Sequence, residues 1–147
     1  MHKFGKNSLN KLSTCHVDLQ KILSLAISRS LLDFGISEGH RSLERQKMLF
    51  DEGKSTIDGI SRFGKHNYTP SMAADLYIYH PDNEIRKKII YDKIHLAYIM
   101  GIIASCASEL LEKGKIFHRI RWGGNWDSDG LLVIDQKFQD LPHIELI

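Results

Sequence analysis

A chain of 147 residues is long enough to bury one hydrophobic core without disulfide help and too short for two ordinary domains. Its 42% hydrophobic and 26% charged residues exclude global disorder and place it among folded, globular, water-soluble chains. With 20 Lys and Arg against 18 Asp and Glu, the formal charge of +2 gives little field to steer it onto a nucleic acid.

Residues 1–30 carry Lys3, Lys6 and Lys11, but charges interrupt the apolar stretch that follows, so no export signal is expected. The first helix is predicted to start at Thr14 as N-cap, because Leu19, Ile22, Leu23, Ala26, Ile27 and Ser30 recur with a 3.6 period, and to end before Gly35. Residues 34–42 read as a short strand that leaves Arg41 at a strand-to-helix junction. Ser42 then caps a helix from Leu43 to about Glu52. Residues 53–69, with Gly53, Gly59 and Gly64, show no sustained period and read as a long surface loop, a place where compact domains often carry function.

Residues 73–79 read as a central strand stopped by His80-Pro81-Asp82-Asn83. Helical spacing resumes at Glu84 and lasts to about Lys113, too long for one helix in so small a domain, so a break is predicted near Tyr91 or Gly101, with Gly114 closing the run. Its most apolar part, residues 96–111, is short and is interrupted by Ser105, Ser108 and Glu109, which argues against a membrane span. Strands are predicted over 116–122, 131–134 and 142–146, the first followed by a Gly123-Gly124 turn. The fold class is therefore α+β: helices packed on a small, mostly antiparallel sheet in a single domain. Cys15 and Cys106 form no CxxC and fall in helical stretches; they read as buried free thiols, in keeping with a reducing cytosol.

Three side chains suggest chemistry. His66 in the glycine-rich loop, Asp75 at the head of the central strand and His143 near the end make a two-His, one-carboxylate set, the donor type of an open hydrolytic zinc site. Asp140, three residues before His143, is the candidate general base if the Leu141-Pro142 turn brings it beside the metal without making it a ligand; Glu145, on the same strand face as His143, competes for that role. Arg41 offers a permanently charged guanidinium for a developing oxyanion or a substrate carboxylate, against the plainer reading of an ion pair with Glu38 or Glu44. Trp122 and Trp126 suit turn packing as well as a substrate platform and stay outside the catalytic set. His2, His16, His40, His80, His95 and His118 have no partner at a suggestive spacing and read as surface or structural.

Taken in order, His66 with Ala73-x-Asp75, the Trp122-Gly123-Gly124-x-Trp126 turn and Phe138-x-Asp140-Leu141-Pro142-His143-x-Glu145-Leu146 resemble the phage branch of the D-Ala-D-Ala carboxypeptidase-type (VanY-like) metallopeptidases, the L-alanyl-D-glutamate endopeptidases used as endolysins. The similarity extends upstream to Gly39, Arg41, Ser42, Glu44 and Gln46 and to Gly53-Lys54-Ser55, covering roughly residues 12–146. It implies a Zn2+ cofactor on His66, Asp75 and His143, with Asp140 as base and Arg41 as the anion-holding group. It implies a peptidoglycan stem peptide as substrate, cut between L-Ala and D-Glu. The expected protein is a monomer with no nucleic-acid partner, no stable membrane association and no separate wall-binding domain. It would be made in the host cytoplasm and reach periplasmic peptidoglycan after a separate factor opens the inner membrane. The alternatives are a D-Ala-D-Ala carboxypeptidase or dipeptidase of the same fold, or a non-catalytic zinc wall-binding module. Two features depart from the commonest family pattern: Gly64 stands where Ser is usual, and the interval from His66 to Asp75 is two residues longer, with Thr69-Pro70-Ser71 in the gap.

Overall fold

In the computed structural model, which describes residues 1–147, polar caps decide where most helices start. Ser42 Oγ accepts from Arg45 N at 3.1 Å and opens α3 (Leu43–Asp51). The long helical stretch is divided by two such caps. Asp82 opens α4 (Asn83–Ile89) and Asp92 opens α5 (Lys93–Glu112), so the break falls beside Tyr91 while Gly101 passes unremarked through α5. Gly114, with φ +64°, ends α5 in the left-handed region that glycine enters without a Cβ clash.

Two expectations for the N-terminal part are corrected. A seven-residue helix, α1 (Lys6–Leu12), precedes the predicted one; it is too short to show a period. The next helix, α2 (Val17–Arg29), is capped by His16, whose Nδ1 accepts from Asp18 N, and not by Thr14. Thr14 belongs to the turn after α1, where its hydroxyl donates to Lys11 O and accepts from His40 N. Cys15 therefore lies in that turn rather than in a helix, bridged to Ser71; both cysteines are free and buried.

The strands are β1 (Phe34–Glu38), β2 (Ala73–Ile78), β3 (Ile120–Gly123) and β4 (Asp140–Leu146), in the order β1-β2-β4-β3 and antiparallel throughout. The α+β class holds. The strand expected at 131–134 does not form: Leu131, Leu132 and Ile134 are exposed, Val133 takes φ +58°, and the segment pairs with no strand of the sheet.

Alternation along the strands separates the sheet's two faces. Phe34, Ile36, Leu76, Ile78, Ile144 and Leu146 bury one face against Leu19, Ile22 and Leu23 of α2 and Leu96, Ile99 and Ile103 of α5. By length and composition alone α5 would pass for a membrane span, yet that apolar side is the core's roof. The opposite face, freed from packing, carries Glu38, Asp75, His143, Glu145 and Arg121. Register sets them side by side: Glu38 opposes Asp75, Asp75 opposes His143, and Arg121 opposes Glu145.

A buried carboxylate locks the start of α2 to the segment that leads into β3 at the edge of the sheet. Asp18 Oδ2 accepts from Phe117 N, His118 N and His118 Nδ1 at 2.9, 3.1 and 2.7 Å. These bonds divert the chain so that β3 begins at Ile120, not at Ile116. They also give His16 and His118 a common carboxylate neighbour that sequence spacing concealed. Burial disfavours the Asp18 charge, but the His118 and backbone bonds outweigh it and hold the carboxyl below its usual range. Asp18→Ala should cost on the order of 3 kcal/mol in urea unfolding at neutral pH, since three donors lose their acceptor. A depressed folded pKa contributes stability above the unfolded value of about 3.9 and loses it as pH falls further, so wild type and variant should converge in acid.

Candidate active site

His66 enters the cleft from a 3-10 turn, Lys65–Asn67, that is fastened on both sides. Arg41 N donates to His66 O at 2.8 Å and Asn67 Nδ2 donates to Arg41 O at 3.0 Å. The longer interval to Asp75 is anchored too: Met72 N donates to Lys65 O, Ser71 N to Thr14 O, and His16 N to Ser71 O. Asp75 and His143 need no such help, because they face one another across β2 and β4.

These elements bring three donor atoms together. His66 Nε2 lies 3.1 Å from Asp75 Oδ1 and 3.3 Å from His143 Nδ1, and His143 Nδ1 lies 3.0 Å from Asp75 Oδ1. The rest of the hydrogen bonding sets both tautomers. His66 Nδ1 is 2.7 Å from the Gly39 carbonyl, which only accepts, so the proton of a neutral ring sits there and Nε2 presents a lone pair. Gly39 is fixed by close packing: a Cβ would lie 2.5 Å from Lys11 O and Thr14 Oγ1. In the same way His143 Nε2 donates to Glu145 Oε1 at 2.9 Å and turns Nδ1 inward. Two lone pairs and a carboxylate oxygen thus converge with no donor among them, and only a cation satisfies such a set.

That cation is either a proton or a metal. Burial works against a charged His143, but its bonds to Asp75 and Glu145 prevail and push the imidazole up to about 9. Burial also opposes ionisation of Asp75, and the adjacent His143 and His66 imidazoles overcome it, holding the carboxyl far below its usual range. Ligand atoms arranged tetrahedrally around zinc at about 2.05 Å would stand about 3.3 Å apart, close to the separations found. The residues present fit a metal of that size.

Asp140 Oδ2 stands 3.9 Å from His143 Nδ1, beside the donor cluster and outside it. Burial and the negative charge of Asp75 push its carboxyl up from the ordinary value. Its backbone is set by Gly123, where a Cβ would fall 2.0 Å from Asp140 O, so no other residue lets β3 approach so closely. Glu145 differs: burial opposes its charge, but bonds with His143 and Arg121 hold its carboxyl low, and both oxygens are occupied.

Arg41 does pair with Glu38, through Nε and Nη2 at 3.0 and 2.7 Å, and not with Glu44. It reaches further as well. Nη1 donates to Gln46 Oε1 at 3.0 Å and Nη2 comes within 3.5 Å of Asp75 Oδ2. All six side chains weighed from sequence, His66, Asp75, His143, Asp140, Glu145 and Arg41, therefore line one cleft of about 310 Å³.

Four more residues complete the cleft, of which the sequence offered Glu38 as an ion-pair partner of Arg41 and Trp126 as a turn or platform residue. Glu38 and Gln46 hold Arg41, and Gln46 also ties α3 to the following loop through Ser55 Oγ and Ile57 O. Trp126 and Phe138 stack at 6.0 Å between centroids and form an aromatic wall 5.6 Å from the His143 ring. Trp122 turns the other way, packs on the core and donates Nε1 to Leu141 O. The turn motif flagged the tryptophan pair, but only the backbone reveals which one faces the cleft.

An antiparallel sheet that gathers imidazoles, carboxylates and a guanidinium at one end of an aromatic-walled cleft has the make-up of a hydrolase. Known proteins narrow the class. The family model described as phage L-alanyl-D-glutamate peptidase matches residues 1–147, and the chain belongs to that family of peptidoglycan hydrolases. It is 26% identical over 147 residues to the L-alanyl-D-glutamate peptidase of Escherichia phage T5, covering 99% of this chain and 98% of that protein. It is 26% identical over 132 residues to the peptidoglycan L-alanyl-D-glutamate endopeptidase CwlK of Bacillus subtilis (strain 168), covering 85% of this chain and 67% of that protein. Among solved structures, the Serratia marcescens L-Ala D-Glu endopeptidase ChiX shares the fold with a TM-score of 0.73 at 23% identity, over 99% of this chain and 91% of that one.

Proposed function

We propose that this protein is a zinc-dependent endopeptidase that cuts the L-Ala-D-Glu bond of peptidoglycan stem peptides and serves as a phage endolysin. The observation that carries the metal is the convergence of His66 Nε2, His143 Nδ1 and Asp75 Oδ1 without a donor among them. Family membership supports the bond.

His66, Asp75 and His143 hold the ion. When bound, zinc with three protein ligands supplies an acidified water and a Lewis acid for the scissile carbonyl. Asp140 takes the proton of the attacking water and returns it to the departing amine, the exchange for which a carboxyl of raised pKa is suited. Arg41, held by Glu38 and Gln46, keeps its charge at the Asp75 side of the cleft and steadies the developing oxyanion or a substrate carboxylate. The aromatic wall shields the reacting bond from bulk water. A single peptidase domain, acting as a monomer and released from the host cytosol by a separate factor, completes the reading.

Purified sacculi digested with the enzyme should yield new amino groups on D-Glu, seen by mass analysis of the fragments. Chelation should abolish the digestion, and about one equivalent of zinc should restore it. Full activity in protein shown to be metal-free would overturn the metal assignment; release of terminal D-Ala alone would replace the endopeptidase with a carboxypeptidase.

A further inference from the structure

Behind the donor cluster runs a second line of contacts. Glu145 Oε1 receives the His143 Nε2 proton, and Glu145 Oε2 receives Arg121 Nη2 at 2.9 Å. Arg121 and Glu145 are register partners on β3 and β4, so the sheet itself fixes their separation. The Nη2 contact is the guanidinium's one hydrogen bond to the protein; Nε is buried without a protein partner. Its Cζ lies over the Trp126 ring, 5.8 Å from the centroid, and that ring stands 5.6 Å from His143. Arg121 therefore touches both supports of one imidazole, its carboxylate partner and its aromatic neighbour.

We propose that Arg121 is a positioning residue that sets the orientation and donor strength of His143 through Glu145 and Trp126, an inference that rests on the metal reading above. A cross-strand ion pair serving only the sheet would have left the second carboxylate oxygen and the ring face without consequence for the cleft. Here each contact of the guanidinium ends on a group that itself ends on His143. A neutral residue at 121 frees Glu145 to swing away, and the imidazole loses the acceptor that keeps Nδ1 directed inward. A lysine keeps the charge and one bond but lacks the delocalised guanidinium beside the Trp126 ring.

The test compares wild type, Arg121→Met and Arg121→Lys, alone and with Glu145→Gln, by chelator competition for Zn2+ and by the visible absorption of the Co2+-loaded protein. Arg121→Met should bind Zn2+ about ten- to a hundredfold more weakly, the range for an outer-shell partner, with an altered Co2+ band and a fall in kcat larger than any change in KM. Arg121→Lys should recover part of the affinity. In the Glu145→Gln background Arg121→Met should weaken binding by much less than it does alone, because its main route is already cut. Thermal midpoints in chelator separate these effects from folding, and Arg121→Lys carries the comparison if Arg121→Met does not fold. Wild-type affinity and an unchanged Co2+ band in both Arg121 variants, or full additivity with Glu145→Gln, would overturn the proposal while leaving the metal centre standing. A wild type that binds neither ion would overturn both readings.

Discussion

Asp140→Asn is expected to lower turnover by about two to four orders of magnitude while zinc content and the thermal midpoint stay near wild type. The substitution is nearly isosteric and leaves His66, Asp75 and His143 in place, since the Asp140 carboxylate stands 3.9 Å from His143 Nδ1 and forms no hydrogen bond there. What it removes is a proton acceptor. Glu145→Gln is the informative contrast, because one Glu145 oxygen is held by His143 and the other by Arg121. Its loss should appear as weaker metal binding, so activity should recover as zinc is raised, whereas Asp140→Asn should not respond to zinc. If Asp140→Asn stays active and Glu145→Gln is dead with zinc bound, the two carboxylates have each other's roles.

The difference between those carboxylates marks where sequence stops being informative. Strand periodicity placed Glu145 on the face of His143, and that left both acids eligible as base. The decision rests on partners supplied by β3, which no spacing within the terminal motif can show. The same limit explains the N-terminal corrections: Thr14 has an N-cap's chemistry, but the turn after α1 had already engaged its hydroxyl. Where local signals coincided, as at Ser42 before α3, sequence and structure agree closely; for α4 and α5 the sequence offered a start at Glu84 and a break near Tyr91 or Gly101, and the Asp82 and Asp92 caps fix the starts at Asn83 and Lys93. Leu131, Leu132 and Ile134 mimic a strand in composition, yet no neighbouring strand offers them a ladder. The three donors were legible because their residue types are rare in combination. Glu38 was legible only as an ion-pair partner for Arg41 and Trp126 only as one of a tryptophan pair, while the hold of Gln46 on Arg41 was not legible, because each acts through its neighbours.

Asp75→Asn should abolish lysis of permeabilised cells and lower zinc affinity by more than the ten- to a hundredfold that accompanies loss of an outer-shell partner. Asp75 is the one anionic member of the donor set, and Arg41 Nη2 lies 3.5 Å from its second oxygen. With the carboxylate gone, that guanidinium faces an incoming divalent ion without an intervening negative charge. An amide compounds the loss: if its oxygen turns to the metal, its NH2 points at Arg41, another donor. The metal-free protein should weaken too, because His66 and His143 both lose the oxygen they share. Thermal midpoints in chelator measure that cost on its own, and zinc titration by calorimetry measures the rest. Zinc should raise the midpoint of wild type and leave that of Asp75→Asn almost unmoved. A variant that binds one equivalent of zinc as tightly as wild type would remove Asp75 from the ligand set, and His66 and His143 would then need a different carboxylate, with Asp140 the nearest candidate.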